Sequence, residues 1–584
     1  MREKLFSRKE VAHAAKLDIG NPLVDILYRA SGLEKVNQFY HENEHLSDLD
    51  FINGCLDLLE IKIDVSERDL ERIPENGAFI AIANHPYGAL DGLLLMKLLA
   101  SRNKDFKVMA NILLNRIPQL EDRIVGVNPF DGSEHQISSF KGMKHSLVHL
   151  RANKPLGIFP SGEVSTYRKD LKCISDGPWD LKVIKLIQKA QVPVIPIYFE
   201  GGNSRLFHLL GRIHPSLRTI RLPAEFSNKK GQKLRVRIGK PVKVNTLNEI
   251  EDHQKLARYL RAKTYALGTA LKVKKEYFIP SRFPSKPKKI KAPIEKNLLT
   301  DEINKIHNGL LFSKGGFECY IADATAIPSI LSEIGRLREK TFREVGEGTN
   351  RSIDLDEFDL YYQHLFLWDK SKEEVVGAYR IGKGAEIMHQ FGPKGFYTRS
   401  IFKMDEPFNK VLFQSIELGR SFIQKKYQKE RLPLFLLWKG ILVQLVSHPE
   451  YRYVLGPVTI SGQYQSTSKE LIISFIKRHY FQQELSAHIR PRTPFQYKKD
   501  PSVDLEALLD IAESDLKKMD QIISEIEPSS FTMPVLLKKY LHQNAKILGF
   551  NLDPKFNNAL DGLMLLDLHD LPAGTIENLQ REFA

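Results

Sequence analysis

The chain has 584 residues, of which 42% are hydrophobic and 27% are charged, a composition typical of globular domains. One hydrophobic core rarely serves so long a chain, so the length predicts two domains or three. The formal net charge of +15 favours an anionic membrane, an acidic protein or a nucleic acid as a partner. No zinc-finger spacing or RNP-like strand accompanies that charge, so we expect no nucleic-acid partner.

Cellular location and metal content are constrained by what the sequence lacks. The cysteines Cys55, Cys173 and Cys319 are dispersed, so we expect no disulfide framework and no metal site. No apolar run reaches the roughly 18 residues of a spanning helix, and the N-terminus lacks an apolar signal core. We therefore expect a cytoplasmic protein, peripheral on the inner face of the cytoplasmic membrane. Residues 205–221, which mix Arg with Leu, Ile and Phe, are the best candidate for membrane contact; alternatively, their apolar side packs on the domain.

The N-terminal half begins with helical patterns and continues as alternating strands and helices. Apolar residues recur at helical spacing as far as residue 70 and predict a leading helical segment. From residue 78 to about 245, short apolar strands alternate with amphipathic segments such as residues 181–190, which is typical of an α/β domain. Another helical pattern covers residues 249–273.

A change of composition separates the two halves. Residues 279–293 are rich in Pro, Lys and Ser and predict an extended linker that cannot bury a core. Beyond it we predict a strand at 317–322, a helix at 327–342, and two strands at 364–368 and 375–381 joined by a polar turn. The second half is therefore predicted to be another α/β unit.

A histidine and a carboxylate share one short loop after the first apolar strand. The imidazole of His85 has an unperturbed pKa of about 6.5 and can accept the proton of an alcohol, and the carboxylate of Asp91 can fix its tautomer. Alone, such a pair is more often a surface or capping feature. The pair gains weight because three further segments come after it in order: a Pro/Gly turn at 157–165, a proline-containing strand at 192–202 and a strand at 234–241.

In this order the segments resemble the glycerolipid (lysophosphatidate-type) acyltransferases, whose members carry an H-x-x-x-x-D loop, an F-P-E-G turn and a late V-P-x-x-P strand. The resemblance covers about residues 30–270 and implies that His85 is the catalytic base and Asp91 its orienting partner. It also implies that the turn lines the acceptor pocket through Phe159, Pro160, Ser161, Gly162 and Glu163.

Two departures from the family pattern bear on the substrate. Five residues instead of four separate the histidine from the aspartate, and Gly88 can absorb the extra residue because glycine tolerates unusual backbone angles. In the turn, Ser161 stands where the family has Glu, and Glu163 lies beyond Gly162. Because the family's turn handles a phosphate-bearing acceptor, the altered turn indicates an acceptor lipid without a glycerol phosphate.

Arginines and carboxylates recur over several predicted elements of the second half. Charges of both signs in one pocket could hold an amino acid, which offers an ammonium and a carboxylate together; the alternative is a solvated salt-bridge face. The set comprises an R-x-x-x-F helix, a D-x-D-x-F-D loop, a G-x-x-R strand and an E-x-x-R helix, in that order. It resembles the GNAT-like N-acyltransferases that use acyl carrier protein: the ornithine-lipid and glycine-lipid N-acyltransferases and the acyl-homoserine lactone synthases.

This second resemblance covers about residues 310–570 and implies a charged site, with Glu417 as the proton acceptor, directly or through water. We expect residues 415–422 to form a helix that carries Glu417 and Arg420 on one face. No Gly-rich coenzyme A loop stands out, so acyl-acyl carrier protein is the expected donor, acyl-CoA is the alternative, and no bound cofactor is expected. Acyl carrier protein is acidic, and the basic surplus would steer it. The implied substrate-binding residues are Arg338, Asp356, Asp359, Arg380 and Arg420.

Together the resemblances imply an α/β chain similar to the bifunctional ornithine-lipid synthases. The predicted parts are a helical segment (1–70), a glycerolipid-acyltransferase-like domain (71–275), a linker (276–305) and a GNAT-like domain (306–584). The implied function is N-acylation of an amino acid with a 3-hydroxyacyl chain, then O-acylation of the resulting lyso-lipid. Ornithine is the first choice of amino acid, with glycine and serine as alternatives. The other readings are a lysophospholipid (1-acylglycerol-3-phosphate-type) acyltransferase with a non-catalytic C-terminal half, and a peripheral membrane-binding scaffold.

Overall fold

In this computed structural model the described residues are 7–9, 12, 18–111, 114, 117–127, 133–213, 215–271, 287–496, 499–527, 531–553, 556 and 559–575. Residues 276–286 of the predicted linker lie outside them, and its end, Lys296–Lys305, is a helix that buries Leu299 and Ile303, so the linker prediction is wrong there. The chain divides into two compact units. Unit 1 comprises Met1–Lys274 and Lys499–Ser530, and unit 2 comprises Lys275–Lys498 and Phe531–Ala584.

The helices are numbered in chain order: α1 Pro22–Ser31, α2 Leu33–Asn43, α3 Asp48–Leu58, α4 Glu67–Leu70, α5 Ala89–Ala100, α6 Ser133–Arg151, α7 Leu181–Ala190, α8 Arg205–Ile213, α9 Pro215–Ser227, α10 Val244–Glu249, α11 His253–Leu267, α12 Lys296–Lys305, α13 Pro328–Glu344, α14 Gly384–Phe391, α15 Thr398–Ile401, α16 Asn409–Phe413, α17 Arg431–Ser447, α18 Ser466–His479, α19 Gln483–Ser486, α20 Leu505–Ala512, α21 Leu516–Ile526 and α22 Val535–His542. Among the described residues, none of these helices has both the length and the apolar character needed to cross a bilayer.

The strands are β1 Lys62–Asp64, β2 Ile80–Ala83, β3 Lys107–Asn111, β4 Ile124–Val127, β5 Leu156–Ile158, β6 Thr166–Arg168, β7 Cys173–Ser175, β8 Val194–Phe199, β9 Lys233–Ile238, β10 Leu310–Lys314, β11 Phe317–Asp323, β12 Gln363–Asp369, β13 Glu374–Lys383, β14 Phe402–Met404, β15 Ser415–Ile423, β16 Tyr453–Ile460, β17 Ile489–Pro491, β18 Lys546–Asp553 and β19 Ala559–Asp567. The α/β character predicted for both halves is confirmed.

Unit 1 is built on a sheet with the strand order β1-β9-β8-β2-β5-β3-β4. Its neighbouring strands run parallel except β8 and β9. The central strands β2 and β8 are buried along their whole length, as expected for strands covered on both faces. The predicted strands around residues 80, 157, 195 and 236 all belong to this sheet.

Unit 1 also contains a segment that is remote in sequence. Helices α20 and α21 belong to it, although the sequence grouped residues 499–530 with the C-terminal half. Arg258 of α11 donates to Asp504 at 2.8 Å, and Lys263 of α11 forms a buried ion pair with Glu525 of α21. These long-range ion pairs join α11 to the returning segment, and the local sequence gives no sign of them.

Unit 2 is built on a sheet with the strand order β10-β11-β12-β13-β15-β16-β19-β18. Its neighbouring strands are antiparallel except β15 and β16, which are parallel. The predicted strands around residues 320, 366 and 378 are β11, β12 and β13, and the helix predicted at 327–342 is α13. Helix α13 packs its apolar side on this sheet, with Ile330 and Ile334 buried in the core.

Candidate functional site

The first candidate site lies where neighbouring parallel strands of unit 1 end. Strand β2 runs parallel to both β5 and β8, so the loops after these three strands meet at one edge of the sheet. Asn84 fixes the end of β2 to β8, because its side chain donates to Phe199 O at 2.9 Å and accepts from Phe199 N at 2.7 Å. His85 comes next in the chain and is therefore held at this edge.

His85 and Asp91 form the dyad that the sequence predicts. Nδ1 of His85 lies 2.9 Å from Oδ2 of Asp91, which sits in the first turn of α5 with its side chain fully buried. The same oxygen accepts the backbone N–H groups of Tyr87 at 2.7 Å and Gly88 at 2.9 Å. Gly88 has a φ of +97°, in the region that favours glycine, so this residue absorbs the extra position in the loop as predicted.

The imidazole is held on one side and open on the other. Its ring stacks on Phe159, with the centroids 4.3 Å apart, and its side chain remains 17% exposed. Burial raises the pKa of the Asp91 carboxyl, and the hydrogen bond from His85 counters that effect. With Nδ1 directed at Asp91, Nε2 is the ring nitrogen left to meet a substrate.

Asp176 is part of this site, and the sequence analysis missed it. Its Oδ1 accepts the backbone N–H of His85 at 3.2 Å and the hydroxyl of Ser165. Ser165 in turn donates its backbone N–H to the carbonyl of His85 at 2.7 Å. Asp176 is buried and lies 91 residues from His85, so spacing gave no signal for its position beneath the loop.

Among the remaining turn residues of the prediction, Gly162 and Glu163 are exposed and Ser161 is half-buried. Gly162 has a φ of +65° and donates its N–H to Phe159 O at 3.0 Å, which closes the turn. Ser161 donates its hydroxyl to the Glu163 carbonyl at 2.7 Å. The Glu163 side chain is 73% exposed and lies 3.5 Å from Arg218. Pro160 is buried. The contact of these residues with an acceptor stays a prediction.

The second candidate site is a network of arginines and aspartates in unit 2. Arg338 of α13 donates twice to the carboxylate of Asp359, at 2.8 and 2.9 Å. Asp356 accepts from Arg380 at 2.5 Å and from Arg420 at 3.1 Å. Arg338, Arg380 and Asp359 are each 1% exposed, so the network is buried and the alternative of a solvated salt-bridge face is wrong. The arginines and aspartates of the network therefore neutralise one another.

The segment predicted as a helix at 415–422 is part of strand β15, so that prediction is wrong. The pairing of β15 with β13 on one side and β16 on the other overrides the local pattern. The register of β13 against β15 shifts between Ala378 and Arg380, and Arg420 has a φ of +52°. This bulge turns Arg420 onto Asp356, so the residue reaches the predicted network by a different backbone geometry.

Glu417 is enclosed by hydrogen-bond donors. Its carboxylate accepts the N–H groups of Thr398 at 2.8 Å and Tyr397 at 3.0 Å, and the hydroxyl of Tyr362. Burial raises its pKa, and the hydrogen bonds from Thr398 and Tyr362 counter that effect. The role of Glu417 as a proton acceptor stays a prediction. Its hydrogen bonds with Tyr397 and Thr398 hold β15 to the segment that contains these two residues.

A cavity opens where β15 and β16 diverge. The two strands pair only from Ser415 with Tyr453 to Glu417 with Leu455, although both continue. Their diverging halves line the cavity, together with residues of α22 and β19. Of the charged residues predicted for this site, the one that lines the cavity, within the described part of the chain, is Arg420.

Comparison with known proteins matches both halves of the chain to transferases. A family model described as Acyltransferase matches residues 12–274, and an Acetyltransferase (GNAT) domain model matches residues 337–438. A glycine N(alpha)-acyltransferase of Phocaeicola vulgatus is 30% identical over 263 residues, covering 43% of this chain and 79% of that protein. This chain belongs to the same acyltransferase family.

Two further similarities accompany that match. A lyso-glycine lipid O-acyltransferase of Bacteroides thetaiotaomicron is 27% identical over 254 residues, covering 42% of this chain and 89% of that protein. The crystal structure of a 1-acyl-sn-glycerophosphate acyltransferase from Thermotoga maritima aligns with 43% of this chain and 96% of its own at 16% identity, with a TM-score of 0.26. The predictions of an acyltransferase and of a GNAT-type C-terminal half are confirmed.

Proposed function

We propose that this acyltransferase is bifunctional and makes a doubly acylated amino-acid lipid. Unit 2 transfers a 3-hydroxyacyl chain to the α-amine of an amino acid, and unit 1 acylates the free hydroxyl of that product. The observation that carries the proposal is the presence of two separate sites in one chain, the His85–Asp91 dyad and the charged cavity at Arg420. Similarity to relatives named for an N-acylation and for an O-acylation supports the pairing.

In the O-acylation, the dyad supplies the base. Nε2 of His85 takes the proton of the lyso-lipid hydroxyl as its oxygen attacks the thioester carbonyl, and the proton then passes to the departing thiolate. Asp91 stabilises the imidazolium that forms in between. Asp91 holds one edge of the imidazole ring and Phe159 holds one face. The ring therefore keeps one orientation, with Nε2 directed away from Asp91.

The acceptor proposed for unit 1 carries no phosphate. The turn beside His85 has Ser161 in place of a glutamate, and the nearby Arg218 faces Glu163 at 3.5 Å. Glycine is the first candidate for the amino acid, because both relatives are named for it. Ornithine, the first choice from the sequence, and serine are the alternatives.

The proposed acyl donor is acyl-acyl carrier protein, with acyl-CoA as the alternative. The net charge of +15 gives the chain an excess of cations to attract an acidic carrier protein. No step of either transfer requires a resident cofactor, because the thioester already activates the acyl group.

Unit 1 has a surface that suits peripheral binding to the inner face of the cytoplasmic membrane. On α8, Leu206, Leu209 and Ile213 are 46%, 55% and 68% exposed and recur at helical spacing on one side. The exposed Arg205 and Arg212 flank them, and each cation near an anionic leaflet contributes about 1 kcal/mol. Phe207 of the same helix is buried and holds it to the unit.

Lipid mass spectrometry tests the proposal directly. The full chain is expressed in a host that lacks aminolipids, beside a His85→Ala variant. We expect a diacylated amino-acid lipid from the wild-type chain and its mono-acylated lyso form from the variant. A change confined to phosphatidate-type products would favour the lysophospholipid acyltransferase, and no change in any lipid would favour the scaffold.

A further inference from the structure

Two carboxylates line the cavity of unit 2 without a cationic partner. Glu347 follows α13, and Asp561 lies on β19 with 5% of its surface exposed. Asp561 accepts the hydroxyl of Thr459 at 2.7 Å, and within the described part of the chain neither carboxylate forms an ion pair. The aspartates of the neighbouring network differ, because each faces an arginine.

Burial without an ion-pair partner among the described residues disfavours the charged forms of these groups and raises their pKa values. Burial raises the pKa of Glu347 to about 7, against a hydrogen bond with Ser461. The pKa of Asp561 is also raised to about 7, by burial and by the charges of Asp553 and Glu347. The hydrogen bond from Thr459 and the charge of Arg420 oppose that rise. A cation brought by a ligand would relieve the cost.

The same cavity also offers a site for an anion. Arg420 lines it and donates to Asp356 at 3.1 Å, while its Nε atom, 3.8 Å from Asp354, has no hydrogen-bond partner among the described residues. A cation and two carboxylates around one small space match an α-amino acid, which carries an ammonium and a carboxylate on the same carbon. The cavity lies between diverging strands whose backbone is held by pairing on the outer sides, so its walls are preformed.

We propose that this cavity binds the acceptor amino acid: Glu347 binds its ammonium group, Asp561 accepts the proton that the ammonium loses, and Arg420 binds its carboxylate. The inference rests on the proposed N-acylation by unit 2. It assigns the proton acceptor to a residue of the C-terminal strand instead of Glu417, which is enclosed by its donors and does not line the cavity.

Protons and bonds balance in this step. The ammonium gives one proton to the Asp561 carboxylate and becomes a neutral amine. Its nitrogen attacks the thioester carbonyl, so that a C–N bond forms and the C–S bond breaks. The nitrogen loses a second proton to the departing thiolate, and Asp561 releases its own to solvent. A carboxylate whose pKa is raised by burial is suited to this exchange.

The test measures kcat/KM for glycine and for ornithine against pH, with the purified full chain and 3-hydroxyacyl-acyl carrier protein. In the wild-type chain, kcat/KM should fall as the pH drops below about 7, because Asp561 becomes protonated; this part of the pH profile is the acid limb. For Asp561→Asn we expect kcat/KM to fall about 100-fold or more, the acid limb to disappear, and KM for the carrier protein to stay unchanged. The matched control is Glu386→Gln, which removes an exposed carboxylate of unit 2 and should leave both parameters at the wild-type value.

Two further variants should move the acid limb in opposite directions, even if Asp561→Asn fails to fold. Glu347→Gln removes a charge that raises the pKa of Asp561, so the limb moves to lower pH and KM for the amino acid rises. Thr459→Val removes a hydrogen bond that lowers this pKa, so the limb moves to higher pH. An active wild-type chain whose variants keep its limb and KM would overturn this inference and leave N-acylation standing. A wild-type chain that acylates no amino acid would overturn both.

Discussion

Replacing Asp91 by asparagine removes the charge of the dyad while keeping most of its shape. The asparagine oxygen can occupy the position of Oδ2 and continue to accept from His85, Tyr87 and Gly88. Its NH2 group then takes the place of Oδ1, which is buried and has no hydrogen-bond partner among the described residues. The variant therefore separates the charge of the carboxylate from its position.

The expected cost to folding is smaller than the cost to catalysis. A buried donor without an acceptor costs about 1–3 kcal/mol, which a domain of ordinary stability survives. Losing the carboxylate leaves the imidazolium without its counter-charge, and in Ser-His-Asp triads the equivalent change costs about 10⁴-fold in kcat. We expect O-acylation by Asp91→Asn to fall by about 10²- to 10⁴-fold.

The assay uses the purified full chain, a mono-acylated amino-acid lipid and an acyl donor, with initial rates of ester formation. N-acylation by the same preparation is the internal control and should stay at the wild-type rate, because the site proposed for it is in unit 2. The His85→Ala variant gives the rate of ester formation without the catalytic base. Wild-type O-acylation by an Asp91→Asn chain that melts normally would refute the role of the dyad.

Three other contacts can be tested by substitution. Asp176→Ala should lower O-acylation by up to about 100-fold by misplacing the loop of His85, and Asp176→Asn, which keeps an acceptor, should restore most of the kcat; equal loss in both variants would contradict a positioning role. Burial raises the pKa of Asp359, but Arg338 outweighs it, so the net shift is downward. The Asp359 carboxylate therefore stabilises the fold above about pH 4, and this stabilisation is lost as the pH falls. Asp359→Asn should lower the free energy of unfolding by about 3–5 kcal/mol at pH 7 and flatten the acid side of its pH dependence. An unchanged pH dependence would argue against this role. Leu209→Asp should weaken sedimentation with anionic vesicles about 10-fold or more, since exposing one leucine costs about 1.5–3 kcal/mol, while the melting temperature stays constant; unchanged sedimentation would exclude α8 as the contact.

The first site could be predicted because its key residues are close in sequence. His85, Gly88 and Asp91 belong to one strand-to-helix loop, where turn chemistry and spacing carry the information. Asp176 could not be found in this way, because its place under the loop depends on the pairing of distant segments.

The second site shows the same division. The arginines and aspartates come together as expected, but Glu417 is bonded elsewhere, and the backbone at Arg420 is a bulged strand, not a helix. One signal in the sequence was overlooked: Asp561 stands among the apolar residues of β19, where a buried carboxylate calls for an explanation.

The local sequence is enough to predict most helices and strands and the chemistry of the loop that carries His85 and Asp91. Continuous apolar runs specify strands such as β2 and β8, helical periodicity specifies α13, and short-range spacing specifies the dyad. Long-range packing alone places α20 and α21 in unit 1 and separates β15 from β16 to open a cavity beside Asp561. Local pattern fixes which face of a segment is apolar, whereas the partner that covers this face is chosen by packing over the whole chain.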